Sequence, residues 1–140
     1  MTIPWSKVHG ASTHFPIVLT LVAFACDGLA VARWTHPEAH GLRLAGLIGI
    51  MLAGFGCVAA VVSGLYLTHG ELWGTGALGW HHRFVWPAFA LIIGAAAWRW
   101  TARPTLTRTQ LGGYALVVFA GSLLIFAAAY FGGELVSAQP

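Results

Sequence analysis

An all-α membrane fold, a bundle of four transmembrane helices, is what this sequence predicts, and three observations predict it. Charged residues make up 8% of the chain and hydrophobic ones 58%, with a mean hydropathy of +0.76. A soluble domain carries about 25% charged residues, so no water-facing shell can be built from this composition. Four apolar runs, 15–34, 44–67, 81–100 and 111–131, each reach the length of about 20 residues that a bilayer-crossing helix needs. The runs are continuous and rich in Ala, Leu and Gly rather than alternating, which argues against membrane strands. Together they use most of the 140 positions, so a single membrane domain over 1–140 is expected, without a separate soluble module.

Each span has its own signals. Ahead of span one, Thr13 can cap the helix, which leaves Pro16 in the first turn, where a missing N–H costs little. Ser6-Lys7 before an apolar run resembles a signal peptide, but the run is long, carries Asp27 and lacks a small-residue cleavage site, so it is expected to be retained. Span two carries Gly56, Ala60 and Gly64 at four-residue spacing, either for close helix packing or to make room for a flat macrocycle. Pro87 falls about two turns into span three and should kink it, and carbonyls freed there need a partner because lipid offers none. Span four repeats the small-residue theme with Gly112, Gly113, Gly121 and the alanines at 127–129. Cys26 and Cys57 lie inside spans and read as small buried hydrophobes. Without a Cys-x-x-Cys-His motif there is no covalent c-type heme attachment.

A weak internal duplication pairs His14-Phe15-Pro16 and Arg33-Trp34 in span one with His81-His82, Trp86-Pro87 and Arg99-Trp100 in span three. It would arrange the spans as two parallel helical hairpins around an axis along the membrane normal. His14 and His82 would then be quasi-equivalent.

Orientation follows from charge. Arg33, Arg43, Arg99, Arg103 and Arg108 fall on one side, against Lys7 and Arg83 on the other. By the positive-inside rule the arginine side is cytoplasmic and both termini face out. The seven tryptophans lie near span ends, as an aromatic belt requires. The net charge of +3 and pI near 9.3 therefore reflect orientation signals, not affinity for nucleic acid.

Histidines carry the candidate chemistry. His9, His14, His69, His81 and His82 collect at the outer face, while His36 and His40 lie alone on the other. Imidazoles at matching depth in a small helical bundle are what a low-spin heme or a metal ion needs. Neighbouring helix positions point about 100° apart, so one of His81 and His82, taken as His82, is expected to face the interior. His9 would join the site if the helix begins earlier. Heme is favoured over a bare ion because no carboxylate or thiolate lies clearly among the histidines, with Glu71 and Glu134 near enough to keep a His/Glu metal site open. The expected axial pair to the heme iron is His14 with His82, with His9, His69 and His81 as alternatives or as ligands of a second heme. Asp27 is an intramembrane carboxylate, which usually faces a partner or a watery cavity. It pairs with Arg33, Arg43 or Arg99, or it handles protons for a quinone or a channel.

With these residues in hand, the chain resembles a bacterial family of small four-helix membrane domains without an assigned function. That family opens with a histidine, a second histidine five positions later, then Phe-Pro-Ile and an acidic residue in the span: here His9, His14-Phe15-Pro16-Ile17 and Asp27. A histidine near the start of its third span matches His81 or His82, and its closing Gly-Gly-x-Leu-Val matches Gly132-Gly133-Glu134-Leu135-Val136. His69 belongs to no motif of the family. Some members are joined to c-type cytochrome or Rieske-like domains, which by analogy implies electron transfer.

The expectation is a multi-pass protein of the bacterial cytoplasmic (inner) membrane with both termini in the periplasm and a b-type heme near its periplasmic face. It would pass electrons between a periplasmic cytochrome or dehydrogenase and the quinone pool or another membrane subunit. It would be an electron-transfer subunit of an oxidoreductase complex rather than a complete enzyme, since no substrate pocket is legible. The alternatives are a heme-free structural or anchoring subunit and a small metal or proton transporter.

Overall fold

The computed structural model of the protein describes residues 4–102 and 106–137. Among them are four helices and no strand: α1 (Trp5–Ala32), α2 (Ala39–Leu67), α3 (Gly76–Ala102) and α4 (Arg108–Ser137). All four are long and apolar enough to cross a membrane, the architecture of a multi-pass membrane protein. At 27 to 30 residues they run about 40–45 Å, which covers the hydrocarbon core and most of the interfacial layers.

That length explains where the helices outrun the apolar runs. A backbone at headgroup depth still gains from internal hydrogen bonds, so α1 starts at Trp5 rather than near residue 15. Thr13 is consequently not a cap. Its Oγ1 donates to the Gly10 carbonyl at 2.9 Å, well inside the helix. Pro16 lies in the helix interior and is buried, and α3 likewise continues through Pro87. Arg103, one of the expected orientation signals, falls outside the described residues.

The helices pack in chain order as a closed ring, α1 against α2, α2 against α3, α3 against α4 and α4 against α1. The broadest seams lie within the α1–α2 and α3–α4 hairpins, and the thinnest joins α2 to α3. The bundle is thus two hairpins side by side, with α1 and α3 running the same way across its diagonal. Glycines on α2 explain the tight first seam. A Cβ at Gly49 would lie 3.3 Å from the Ala23 methyl, one at Gly56 2.9 Å from Cδ of Pro16, and one at Gly64 3.0 Å from Cε1 of His9. Close packing through small residues, not space for a macrocycle, is therefore what Gly56 provides. Ile50, Ile92, Leu111, Tyr114 and Val118 fill the centre, while Phe15, Phe55, Leu116 and Tyr130 point outward.

Replacing Gly56 by Leu forces the Pro16 ring away and should destabilise the bundle by about 1–3 kcal/mol. Gly113→Ala, where the new methyl meets nothing within 4 Å, should leave stability unchanged or slightly raised. Thermal unfolding in detergent, followed by circular dichroism, separates the two.

Candidate functional site

In the half of the bundle that holds both the start of α1 and the α2–α3 loop, the four helices leave a cavity between them. Its wall includes His9 and Thr13 from α1, Cys57 from α2, and His81, His82 and Trp86 from α3. It encloses about 110 Å³, and the whole space between its walls, open mouth included, is about 710 Å³.

His9 reaches this cavity because α1 begins early. Its Nδ1 lies 3.0 Å from Oγ of Ser63, and the absence of a side chain at Gly64 lets the ring lie against α2. The hydroxyl of Ser63 is already committed, because its oxygen lies 2.8 Å from the Ala59 carbonyl and 3.1 Å from that of Ala60. When the Ser63 hydroxyl donates to its own helix, Nδ1–H of His9 donates to it, and in the neutral ring Nε2 then carries the lone pair. His81 repeats the arrangement across the diagonal. Its Nδ1 lies 2.7 Å from the backbone carbonyl of Ala128, an acceptor only, and Gly132 makes room for the ring, whose Cε1 would be 3.2 Å from a Cβ there. Two imidazoles from two helices thus line one cavity, each anchored through Nδ1.

His82 is also inside. It is 6% exposed, its ring centre is 5.8 Å from that of His81 and 6.1 Å from that of Trp86, and its Nδ1 has no partner. The expectation that only one of the two neighbours faces inward is corrected here. A helix in a four-membered ring buries a sector of 100° or more, wide enough for both. Trp86 ties the α2–α3 loop to this region, donating from Nε1 to the Leu72 carbonyl at 2.9 Å.

The other outer histidines lie apart. His14 is exposed on the outward face of α1 and is absent from the cavity wall, since five residues from His9 turn it well over a quarter of the way around the helix. His14 and His82 are accordingly not equivalent, one facing out and the other buried. His69 is exposed in the loop with φ of 53°. Glu71 and Glu134 are exposed and do not line the cavity. Among the described residues, no group of three or more His, Cys, Asp or Glu is placed to hold a metal ion.

Asp27 belongs to the opposite half. It is fully buried, and its Oδ1 accepts from Nη2 of Arg99 at 2.8 Å. The same Nη2 donates to the Arg43 carbonyl at 2.9 Å. The Arg99 guanidinium carbon lies 5.4 Å from the centre of the Tyr114 ring. Oδ2 of Asp27, Nε of Arg99 and the Tyr114 hydroxyl are buried without partners. Of the expected arginine partners Arg99 is the one used, which removes it from the interface. Arg43 instead stacks over Trp34 at 4.6 Å, and Arg108 reaches back to the Val31 carbonyl at 3.0 Å.

Sequence reasoning ranked His14 above His9 and passed over Ser63 and Tyr114. The signal for His9 was the polar stretch at 5–14, which a membrane helix continues through. Ser63 was visible as a lone hydroxyl within an apolar span, where such groups bond to a neighbour. Comparison with protein-family models, curated proteins and solved structures finds no match.

Removing one partner of the buried pair leaves the other charge uncompensated, so Asp27→Ala should cost about 3–5 kcal/mol. Adding Arg99→Met to that variant should recover part of the loss. An additive double variant in unfolding titrations would show that the two side chains do not interact.

Proposed function

We propose that the protein is a membrane electron-transfer subunit that holds a b-type heme in the histidine-lined cavity. The observation that carries this reading is that His9 and His81, from two diagonal helices, line one cavity and are each anchored through Nδ1 to a neighbouring helix. That leaves Nε2 as the nitrogen an axial bond would use. A quinone carbonyl, by contrast, takes a donor, which neither ring supplies in this form. The donor set therefore fits heme. The enclosed 110 Å³ is the size of a small ring, whereas the 710 Å³ that includes the mouth falls within the range of about 300–1,000 Å³ typical of ligand sites. A macrocycle would have to use the mouth.

His9 and His81 would hold the iron, which when bound supplies one-electron redox chemistry. Ser63 and the Ala128 carbonyl fix the orientation and basicity of the two rings. Gly64 and Gly132 let them lie close to the helices behind. His82 and Trp86 cover the same end of the cavity and limit the entry of water. His14 and His69 take no part, and a second heme has no pair of donors here among the described residues. Asp27 is outside the cavity wall and pairs with Arg99, so the transport reading draws no support from it.

The location of the site leads to the rest of the proposal. The termini and the histidine end would face the periplasm of a bacterial inner membrane, as the arginine asymmetry suggests. Electrons would enter from a periplasmic cytochrome or dehydrogenase and leave to the quinone pool or a neighbouring membrane subunit.

Detergent-purified protein should show a low-spin heme spectrum that sharpens on reduction. His9→Ala and His81→Ala should each abolish it, His14→Ala should preserve it, and Ser63→Ala should weaken heme affinity by about 10–100-fold. Colourless protein that stays colourless with added hemin would end the proposal. For topology, a reporter active only in the cytoplasm and fused after Pro140 should remain silent, and activity there would move the cavity to the cytoplasmic side.

A further inference from the structure

We infer that the Asp27–Arg99 pair sets the axial register of α1 against α3 and so holds His9 and His81 at the same depth at the far end of the bundle. The inference rests on the heme reading only for what the two imidazoles then hold.

Helix geometry carries the argument. Asp27 stands eighteen residues after His9, and Arg99 stands eighteen after His81. Eighteen residues are five full turns, so in each helix the charged residue and the histidine lie on one face, about 27 Å apart. The helices run in the same direction on opposite corners of the ring. Joining Asp27 to Arg99 at 2.8 Å therefore brings the two imidazoles level five turns away. A slip of one turn would separate them by about 5.4 Å in depth, and two axial ligands of one ion could not both reach it.

Packing through α4 also links the two helices, with Ile92 seated at Gly121 and Phe24 against Phe119, and the pair adds the direct tie across the bundle. The glycines of α2 fix the height of α1 against α2, but the α2–α3 seam is the thinnest in the ring. Apolar seams of Ala, Ile and Leu tolerate sliding, because one methyl replaces another. Arg99 supplies what that seam lacks. From α3 it bonds to the Asp27 carboxylate on α1 and to the Arg43 carbonyl on α2 through the same nitrogen, tying both helices of the first hairpin to one height on the second. Both groups are buried, Asp27 at 0% exposure and Arg99 at 2%, where no water can replace either partner. Gly46 faces the carboxylate directly, so a longer acid there has no space to relax.

The test is a distance. In a Cys26→Ala, Cys57→Ala background, spin labels at Lys7→Cys on α1 and Arg83→Cys on α3 report the histidine end from exposed positions, far from the pair. Pulsed dipolar spectroscopy should give one narrow separation. The neutral double variant Asp27→Asn, Arg99→Gln should shift or broaden it, and the low-spin spectrum should give way to high-spin. If the double variant does not accumulate, Asp27→Glu, which keeps the charge and lengthens the arm by one methylene, should shift the separation in the same way. An unchanged separation in either folded variant, even with a lowered melting temperature, would overturn the inference, because the pair would then be stabilising only. A shifted separation in a protein that never binds heme would support the register role while removing the heme reading.

Discussion

Lipid offers no hydrogen bonds, and that one constraint organises this molecule. Every polar group that enters the hydrocarbon must find its partner within the bundle, so the few polar side chains in the spans are also the points at which helices are pinned. Ser63 pins α1 through His9, Ala128 pins α3 through His81, and Arg99 joins three helices through two bonds from one nitrogen. Between these points the seams are Ala, Gly, Ile and Leu, and the glycine contacts of α2 with α1 also set a height.

The same constraint divides the bundle into two polar regions with different characters. At one end imidazoles with uncommitted nitrogens border a cavity with an open mouth. At the other, a carboxylate, a guanidinium and a phenol are closed off, with three of their polar atoms unpartnered. The first borders open space that the second lacks, and the enclosure of the second strengthens the attraction between its charges.

Much of this architecture could be read from the chain. Hydropathy and run length define four spans, and short connections force a ring wound in order. The presence of a partner for Asp27 followed from the cost of an unpaired intramembrane carboxylate. What could not be read is rotation. Whether His9 or His14 faces inward depends on where α1 starts, and a polar segment at headgroup depth carries no periodic signal to reveal that start. Likewise His81 and His82 could be separated only by knowing the width of the buried sector, which is set by the neighbours of α3. Small residues were equally ambiguous, since Gly56 and Gly64 look alike in sequence yet one receives a proline ring and the other an imidazole.

The diagonal ion pair also bears on how the protein is made. Asp27 lies in the first of these four helices to leave the ribosome, and its partner is 72 residues downstream. At about 5–20 residues per second, roughly 4–14 s of synthesis separates the two. During that interval α1 and α2 can already pack through their glycine seam, but the carboxylate's partner in the finished bundle has not yet been made, and Arg99 arrives in a helix of low hydropathy relative to the others. The tie across the diagonal therefore becomes possible later than the His9–Ser63 contact of the first hairpin, because it waits for α3.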